Sequence, residues 1–146
     1  MNSNERIFLA YIDEMDIITI LLPLSYHHGS SSTFSIMDES QKMTPMQIIK
    51  KQHIENNNKY ICRLDEELTF GQPYWIVDEH GGKTDLQIGA VIRTALFDDT
   101  FFYEGSDLGV CINDHQTQFK LWAPTATQVK LKLRKPNSSF SEIIKM

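Results

Sequence analysis

The residues best suited to acid–base chemistry are three clusters of carboxylates. They are Asp13, Glu14 and Asp16; Asp65, Glu66 and Glu67; and Asp98 and Asp99. Two carboxyl groups held about 5 Å apart can act as the nucleophile and the general acid of a hydrolytic reaction. Each cluster here lies in a polar turn or connector between short apolar runs, where carboxylates are usually solvated. The sequence therefore predicts no catalytic residue.

Histidine and cysteine could supply metal ligands or a nucleophile, but their spacing favours neither. His27 and His28 are far in sequence from the other three histidines, and Cys62 and Cys111 form no CxxC motif. Both cysteines are therefore predicted to be reduced. The glycine pair at 81–82 lacks the spacing of a phosphate-binding loop. We predict no metal site and no cofactor.

Four aromatic residues could present a flat apolar face to a sugar ring, namely Tyr74, Trp75, Tyr103 and Trp122. Tyr74 and Trp75 are neighbours on one predicted strand and so point to opposite faces; if one is buried, the other is expected to be exposed. Trp122 directly precedes a proline-containing bend, where we expect it to pack in a core or between domains. These four are the candidate carbohydrate-binding residues.

The composition limits the classes of partner and the cellular compartment. The chain has 146 residues, a 41% hydrophobic share and a formal net charge of -5, which does not suit a binder of nucleic acid. Its first sixteen residues carry four carboxylates where a signal peptide needs an apolar core. The apolar run at 17–22 is too short to span a bilayer. We expect no membrane contact and a cytoplasmic location.

Apolar residues recur mainly at every second position, in short runs separated by turns, which predicts an all-β fold. Two such runs flank the acidic turn at 13–16 and form a hairpin. Residues 46–53 fit either a short helix or a strand, and we favour the strand. Residues 27–33 are small and polar, which is typical of a mobile surface loop. About seven strands with turns of this kind predict an immunoglobulin-like β-sandwich.

The sequence changes character after this predicted sandwich, which we place at residues 1–94. Residues 95–107 mix aromatic, acidic and glycine positions, and so many rings need a surface on which to be buried. We interpret them as a packed connector. Alternation resumes in residues 108–146, which we interpret as an incomplete second β-sandwich module.

This second module carries a recognisable motif. Leu108-Gly109 followed by Phe-Lys-Leu-Trp-Ala-Pro-Thr-Ala at 119–126 resembles the start of a family 48 carbohydrate-binding module. Residues 82–94, together with Phe97-Asp98-Asp99, Phe102-Tyr103-Glu104-Gly105 and the opening residues 11–19, resemble the N-terminal part of cytoplasmic type I pullulanases. These are α-1,6-glucan debranching enzymes of glycoside hydrolase family 13.

The resemblance implies a non-catalytic role, because in that family the catalytic carboxylates lie on a (β/α)8 barrel that follows the N-terminal β-domains. We therefore expect the chain to be the front part of a larger enzyme and to be inactive alone. Its implied partners are that barrel and, through the whole enzyme, α-glucans such as pullulan, glycogen and starch oligosaccharides. The alternative is a stand-alone β-domain that binds glucan or associates with itself through unpaired strands.

Overall fold

The computed structural model describes residues 6–146, and its dominant secondary structure is the β-strand. The first seven strands are β1 (Leu9–Ile12), β2 (Ile17–Pro23), β3 (Phe34–Met37), β4 (Met43–Ile54), β5 (Asn57–Arg63), β6 (Trp75–Asp78) and β7 (Lys83–Ile88). The predicted hairpin at the acidic turn is β1–β2, and the ambiguous segment at 46–53 lies inside β4. The all-β fold class is confirmed.

The seven strands form one continuous hydrogen-bonded order, β1-β2-β5-β4-β3-β6-β7, which closes on itself. Two strands, β4 and β7, change partners along their length. Residues 43–46 of β4 pair with β3 and residues 47–54 pair with β5, with a bulge between Ile48 and Lys50. Residues 83–85 of β7 pair with β6, and residues 86–88 pair in parallel with β1. The expected sandwich is thus refined in one respect, because these shared strands join its sheets into a barrel.

The interior is filled by the inward-facing residue of every second position, as the alternation predicts. Its buried members are Phe8, Ala10, Ile18, Ile20, Leu22, Phe34, Ile36, Met46, Tyr60, Cys62, Leu64 and Ile76. Tyr60 is only 1% exposed, and its ring lies edge-on to that of Phe34. Burial of this apolar surface is the main term that stabilises the barrel.

The segment at 27–33 is not the simple surface loop that its composition suggests. It begins with a 3-10 turn, His27–Gly29, and both Gly29 and Ser31 are buried. The hydroxyl of Tyr60 donates to the Gly29 carbonyl at 2.9 Å and accepts from the Ser31 amide at 3.2 Å. The small polar sequence predicts a mobile surface loop, whereas a core tyrosine holds two of its backbone groups.

A short helix follows the barrel, within the stretch predicted to be a packed connector. After a 3-10 turn at Ala90–Arg93, helix α1 spans Ala95–Phe101. The Thr94 side chain caps it by accepting a hydrogen bond from the Phe97 amide at 3.2 Å, and the Phe97 ring is buried. In the same stretch Phe102 is 72% exposed, so the connector as a whole stays a prediction, and its helix was not predicted.

Residues 70–72 and 103–146 form a second compact unit. It contains two separate two-stranded antiparallel sheets, β8 (Gly109–Ile112) with β9 (Thr117–Lys120), and β10 (Lys130–Arg134) with β11 (Ser141–Lys145). Several of its apolar side chains are exposed, including Ile112 at 75%.

Among residues 6–146, no helix has both the length and the apolar character needed to cross a bilayer.

Candidate functional site

The four candidate aromatic residues are divided between the two compact units. Tyr74 and Trp75 belong to the first unit, and Tyr103 and Trp122 to the second. On β6 the alternation places Ile76 inside, so Trp75 faces outward, while Tyr74 packs against the core. Both side chains are half-buried, so the expected contrast between a buried and an exposed member of the pair is not seen.

Trp75 lies in the middle of a small outer surface, which we call the Trp75 face. Its direct cross-strand neighbours are Met37 on β3 and Asp85 on β7. The ammonium nitrogen of Lys83 is 4.7 Å from the centroid of the indole ring, within cation–π range. The face thus combines a half-buried indole, a thioether and hydrogen-bonding side chains of both charges.

Arg6 completes the Trp75 face through a bidentate ion pair with Asp85. The distance between Nη2 and Oδ2 is 2.9 Å, and that between Nε and Oδ1 is 2.5 Å. The hydrogen bond from Arg6, helped by its charge, holds the pKa of Asp85 below its ordinary value. Both side chains are more than 40% exposed, so solvent screens the pair and its main effect is to fix the carboxylate beside the indole.

Tyr74, on the inward side of the same strand, lines a separate pocket of about 490 Å³. The other walls come from β3, from the start of β4 and from the segment after β5, and they include the acidic residues Asp38, Asp65, Glu66 and Glu67. The hydroxyl of Ser40 donates to Asp38 at 2.7 Å and lowers the pKa of that carboxyl. These carboxylates allow the pocket to accept hydrogen bonds from a ligand.

Two carboxylates have structural roles that the sequence did not reveal. Asp13 accepts a hydrogen bond from the Thr19 hydroxyl at 2.6 Å and from the Ala90 amide at 2.9 Å. Asp78 is 5% exposed, and one of its oxygens accepts from the amides of His80 and Gly82 at 3.1 and 2.7 Å. Asp followed within four residues by Gly-Gly is a turn signal that could have predicted the second role.

The histidines also meet in a way that their spacing did not suggest. The rings of His27 and His80 are stacked with centroids 3.7 Å apart, and the ring of Tyr26 lies edge-on to His27. Stacked rings cannot direct their nitrogens at one ion. Among the described residues, no three histidine, cysteine or acidic side chains are grouped as a metal site requires.

Tyr103 and Trp122 lie in exposed surroundings in the second unit. The Tyr103 hydroxyl donates to Asp107, which also pairs with Lys120. The hydrogen bond to Asp107 raises the pKa of Tyr103. Trp122 is 48% exposed, and its expected packing in a core or between domains stays a prediction.

The chain has clear relatives. Residues 8–93 match the family described as the pullulanase N1-terminal domain. A pullulanase of Bacillus subtilis strain 168 is 42% identical over 139 residues, which make up 95% of this chain and 19% of that protein.

Two solved structures are also similar. Type I pullulanase from Bacillus subtilis strain 168, complexed with maltose, has a TM-score of 0.91 at 41% identity and covers all of this chain. Pullulanase from Anoxybacillus sp. LM18-11, complexed with maltotriose, has a TM-score of 0.89 at 36% identity and covers 95% of it. This chain spans about a fifth of the length of each relative. It belongs to the pullulanase N1-terminal domain family.

Proposed function

We propose that this chain serves as the non-catalytic N-terminal region of a pullulanase-like glycoside hydrolase, which cleaves α-1,6 branches in pullulan, starch or glycogen. The observation that supports this most directly is the family match over residues 8–93. The roles of the carboxylates agree with it, because Asp13 and Asp78 are held by backbone amides and hydroxyls. We further propose the division into residues 1–94, 95–107 and 108–146, the last being the start of a family 48 carbohydrate-binding module.

The test is a reducing-end assay on pullulan with the purified 146-residue chain, beside a full-length pullulanase as positive control. The chain is expected to release no reducing ends at any concentration at which the control is active. Measurable release would contradict the proposal.

We propose a cytoplasmic location, which cell fractionation with an antibody against this chain tests.

The second proposal is that the chain binds α-glucan through the Trp75 face. A flat indole beside charged hydrogen-bonding groups is the kind of surface on which a pyranose ring stacks. Relatives of this chain have been crystallised with maltose and maltotriose, which makes an α-glucan the first ligand to test. Tyr74, Tyr103 and Trp122 remain weaker candidates, each outside this face.

Affinity electrophoresis in gels containing glycogen distinguishes these candidates. Migration of the wild-type chain is expected to be retarded, and Trp75→Ala is expected to abolish the retardation because it removes the stacking surface. Trp122→Ala is the matched control in the second unit and is expected to be retarded like the wild type. Unretarded wild-type migration would contradict glucan binding, and loss of retardation in the Trp122 variant alone would contradict the assignment to Trp75.

The remaining alternative is self-association through the second unit. Its two small sheets each have unpaired edges, and apolar residues such as Val110 and Ile143 are at least 60% exposed. Sedimentation velocity over a range of concentrations tests this. A concentration-dependent increase in mass is expected, and a strictly monomeric profile would contradict it.

A further inference from the structure

In the described part of the chain, residues 6–146, one long strand edge of the barrel has no partner strand. Strand β4 pairs with β3 only through residues 43–46, and with β5 through residues 47–54. These two partners lie on opposite edges of β4. Within residues 6–146, the edge of 47–54 that faces away from β5 therefore has no paired strand, and no backbone hydrogen bond to a loop replaces one. A row of amide and carbonyl groups is open to a further strand.

The side chains around this edge are cationic, although the chain as a whole is acidic with a net charge of -5. The hairpin at 47–63 contains Lys50, Lys51, Lys59 and Arg63, and its one carboxylate is that of Glu55, in the turn. Arg63 has a distant ionic contact, 3.7 Å, with Asp16. Lys50 and Lys51 project from β4, which carries the open edge, and Lys59 projects from the adjacent strand β5. A positive surface therefore accompanies the unpaired backbone.

Apolar side chains accompany the charges. Ile49 is 42% exposed at the bulge, and Ile54 is 37% exposed at the end of β4. The ammonium group of Lys51 lies 5.2 Å from the Tyr60 ring, which holds this charge close to the strand. Strand addition uses these elements together: main-chain hydrogen bonds give affinity, and alternate side chains give selectivity.

The charges also limit what can occupy the edge. Two copies of this chain paired edge to edge would bring lysines against lysines, and like charges directly opposite each other destabilise a strand pair. A strand that carries carboxylates would meet complementary charges instead. We propose that the free edge of β4, at residues 47–54, is a docking site for an extended acidic segment of a protein partner, which adds to the barrel as a further strand.

The proposal is tested with the full chain and a short fluorescent peptide of alternating glutamate and valine, followed by fluorescence anisotropy. Binding is expected at low ionic strength and should weaken as salt is added, because the charge pairs are exposed. The double variant Lys50→Glu/Lys51→Glu should weaken binding by about tenfold. Lys130→Glu/Lys132→Glu, which makes the same charge change on β10, should leave it unchanged.

A second probe separates strand addition from simple charge attraction without altering the protein. The same peptide, N-methylated at alternate residues, keeps its carboxylates but cannot donate the ladder hydrogen bonds along one edge. It is expected to lose binding. Equal binding of the methylated and parent peptides would overturn the proposal, as would equal binding of a single-stranded oligonucleotide of the same charge. Unaltered affinity of the Lys50/Lys51 variant would overturn it too.

Discussion

The hydroxyl of Tyr60 is expected to anchor the loop between β2 and β3, and Tyr60→Phe removes that hydroxyl alone. The Gly29 carbonyl would keep its second partner, the Asn58 side-chain amide at 2.7 Å, but the buried Ser31 amide would lose its acceptor. A buried donor left unsatisfied costs about 1–3 kcal/mol. Because the Ser31 amide loses its acceptor and the Gly29 carbonyl keeps one donor, we expect a loss of about 2 kcal/mol in the free energy of unfolding.

Urea unfolding followed by circular dichroism measures this loss, with Tyr11→Phe as the matched control. Tyr11 faces outward on β1 and is half-buried, so its hydroxyl is expected to contribute less than about 0.5 kcal/mol. The double variant Tyr60→Phe/Asn58→Ala removes both donors to Gly29. Its loss should exceed the sum of the single losses by about 1 kcal/mol, because only then is that carbonyl unpaired.

Two results would refute this reasoning. One is a Tyr60→Phe variant within about 0.5 kcal/mol of the wild type, the range of an ordinary surface substitution. The other is strict additivity in the double variant, which would mean that the hydroxyl and the amide do not share the carbonyl. Hydrogen exchange at the Ser31 amide gives an independent check, because its protection should fall in the tyrosine variant alone.

Three further predictions follow from other contacts. Burial raises the pKa of Cys62 to about 12, so at pH 8 a thiol reagent should label exposed Cys111 alone. The contribution of the buried, neutral Cys62 thiol to the free energy of unfolding should be full below about pH 8.5, the pKa of an unfolded cysteine, and should decline as the pH rises toward the pKa of the folded state. Arg6 lowers the pKa of Asp85, so this pair should stabilise the fold above about pH 3.9 and lose its effect on acidification, a dependence that Arg6→Gln should abolish in urea titrations. Thr94→Ala should lower stability by about 1 kcal/mol in thermal unfolding, and Thr94→Ser should not, because serine keeps the capping oxygen.

The strands were largely predictable because the alternation that marks a strand lies within its own few residues. Alternation at 8–12 and 18–22 marks one hairpin directly, since successive side chains in a strand must face opposite ways. The same rule assigned Tyr74 and Trp75 to opposite faces. The residue type and the side-chain direction were therefore available from the sequence at the most important position of the candidate site.

The closure of the barrel was not predictable in this way. It depends on the parallel pairing of β1 with β7, in which Ala10 lies beside Leu86. No turn or short spacing links residues so far apart, so a single sequence contains no direct signal of this contact. The ion pair between Arg6 and Asp85 follows from that pairing and was missed for the same reason.

The contacts of the loop at 27–33 and of its histidines could not be predicted from composition. His27 and His28 have positive φ angles of 43° and 56°, which are unfavourable for residues with a side chain. Such a turn persists where neighbouring groups hold it, here the hydroxyl of Tyr60 and the ring of His80. Those neighbours come from distant strands, and a polar sequence alone does not reveal them.

The pairing of the first strand with the seventh has a kinetic consequence. During synthesis, β1 leaves the ribosome early but must wait for Ile88, the last residue of β7, before its outer edge can pair. Contacts between residues so distant in sequence form slowly, because a long loop must first be closed. Until then the outer edge of β1 is unprotected, so the period before β7 is complete is expected to be the one most prone to aggregation during expression.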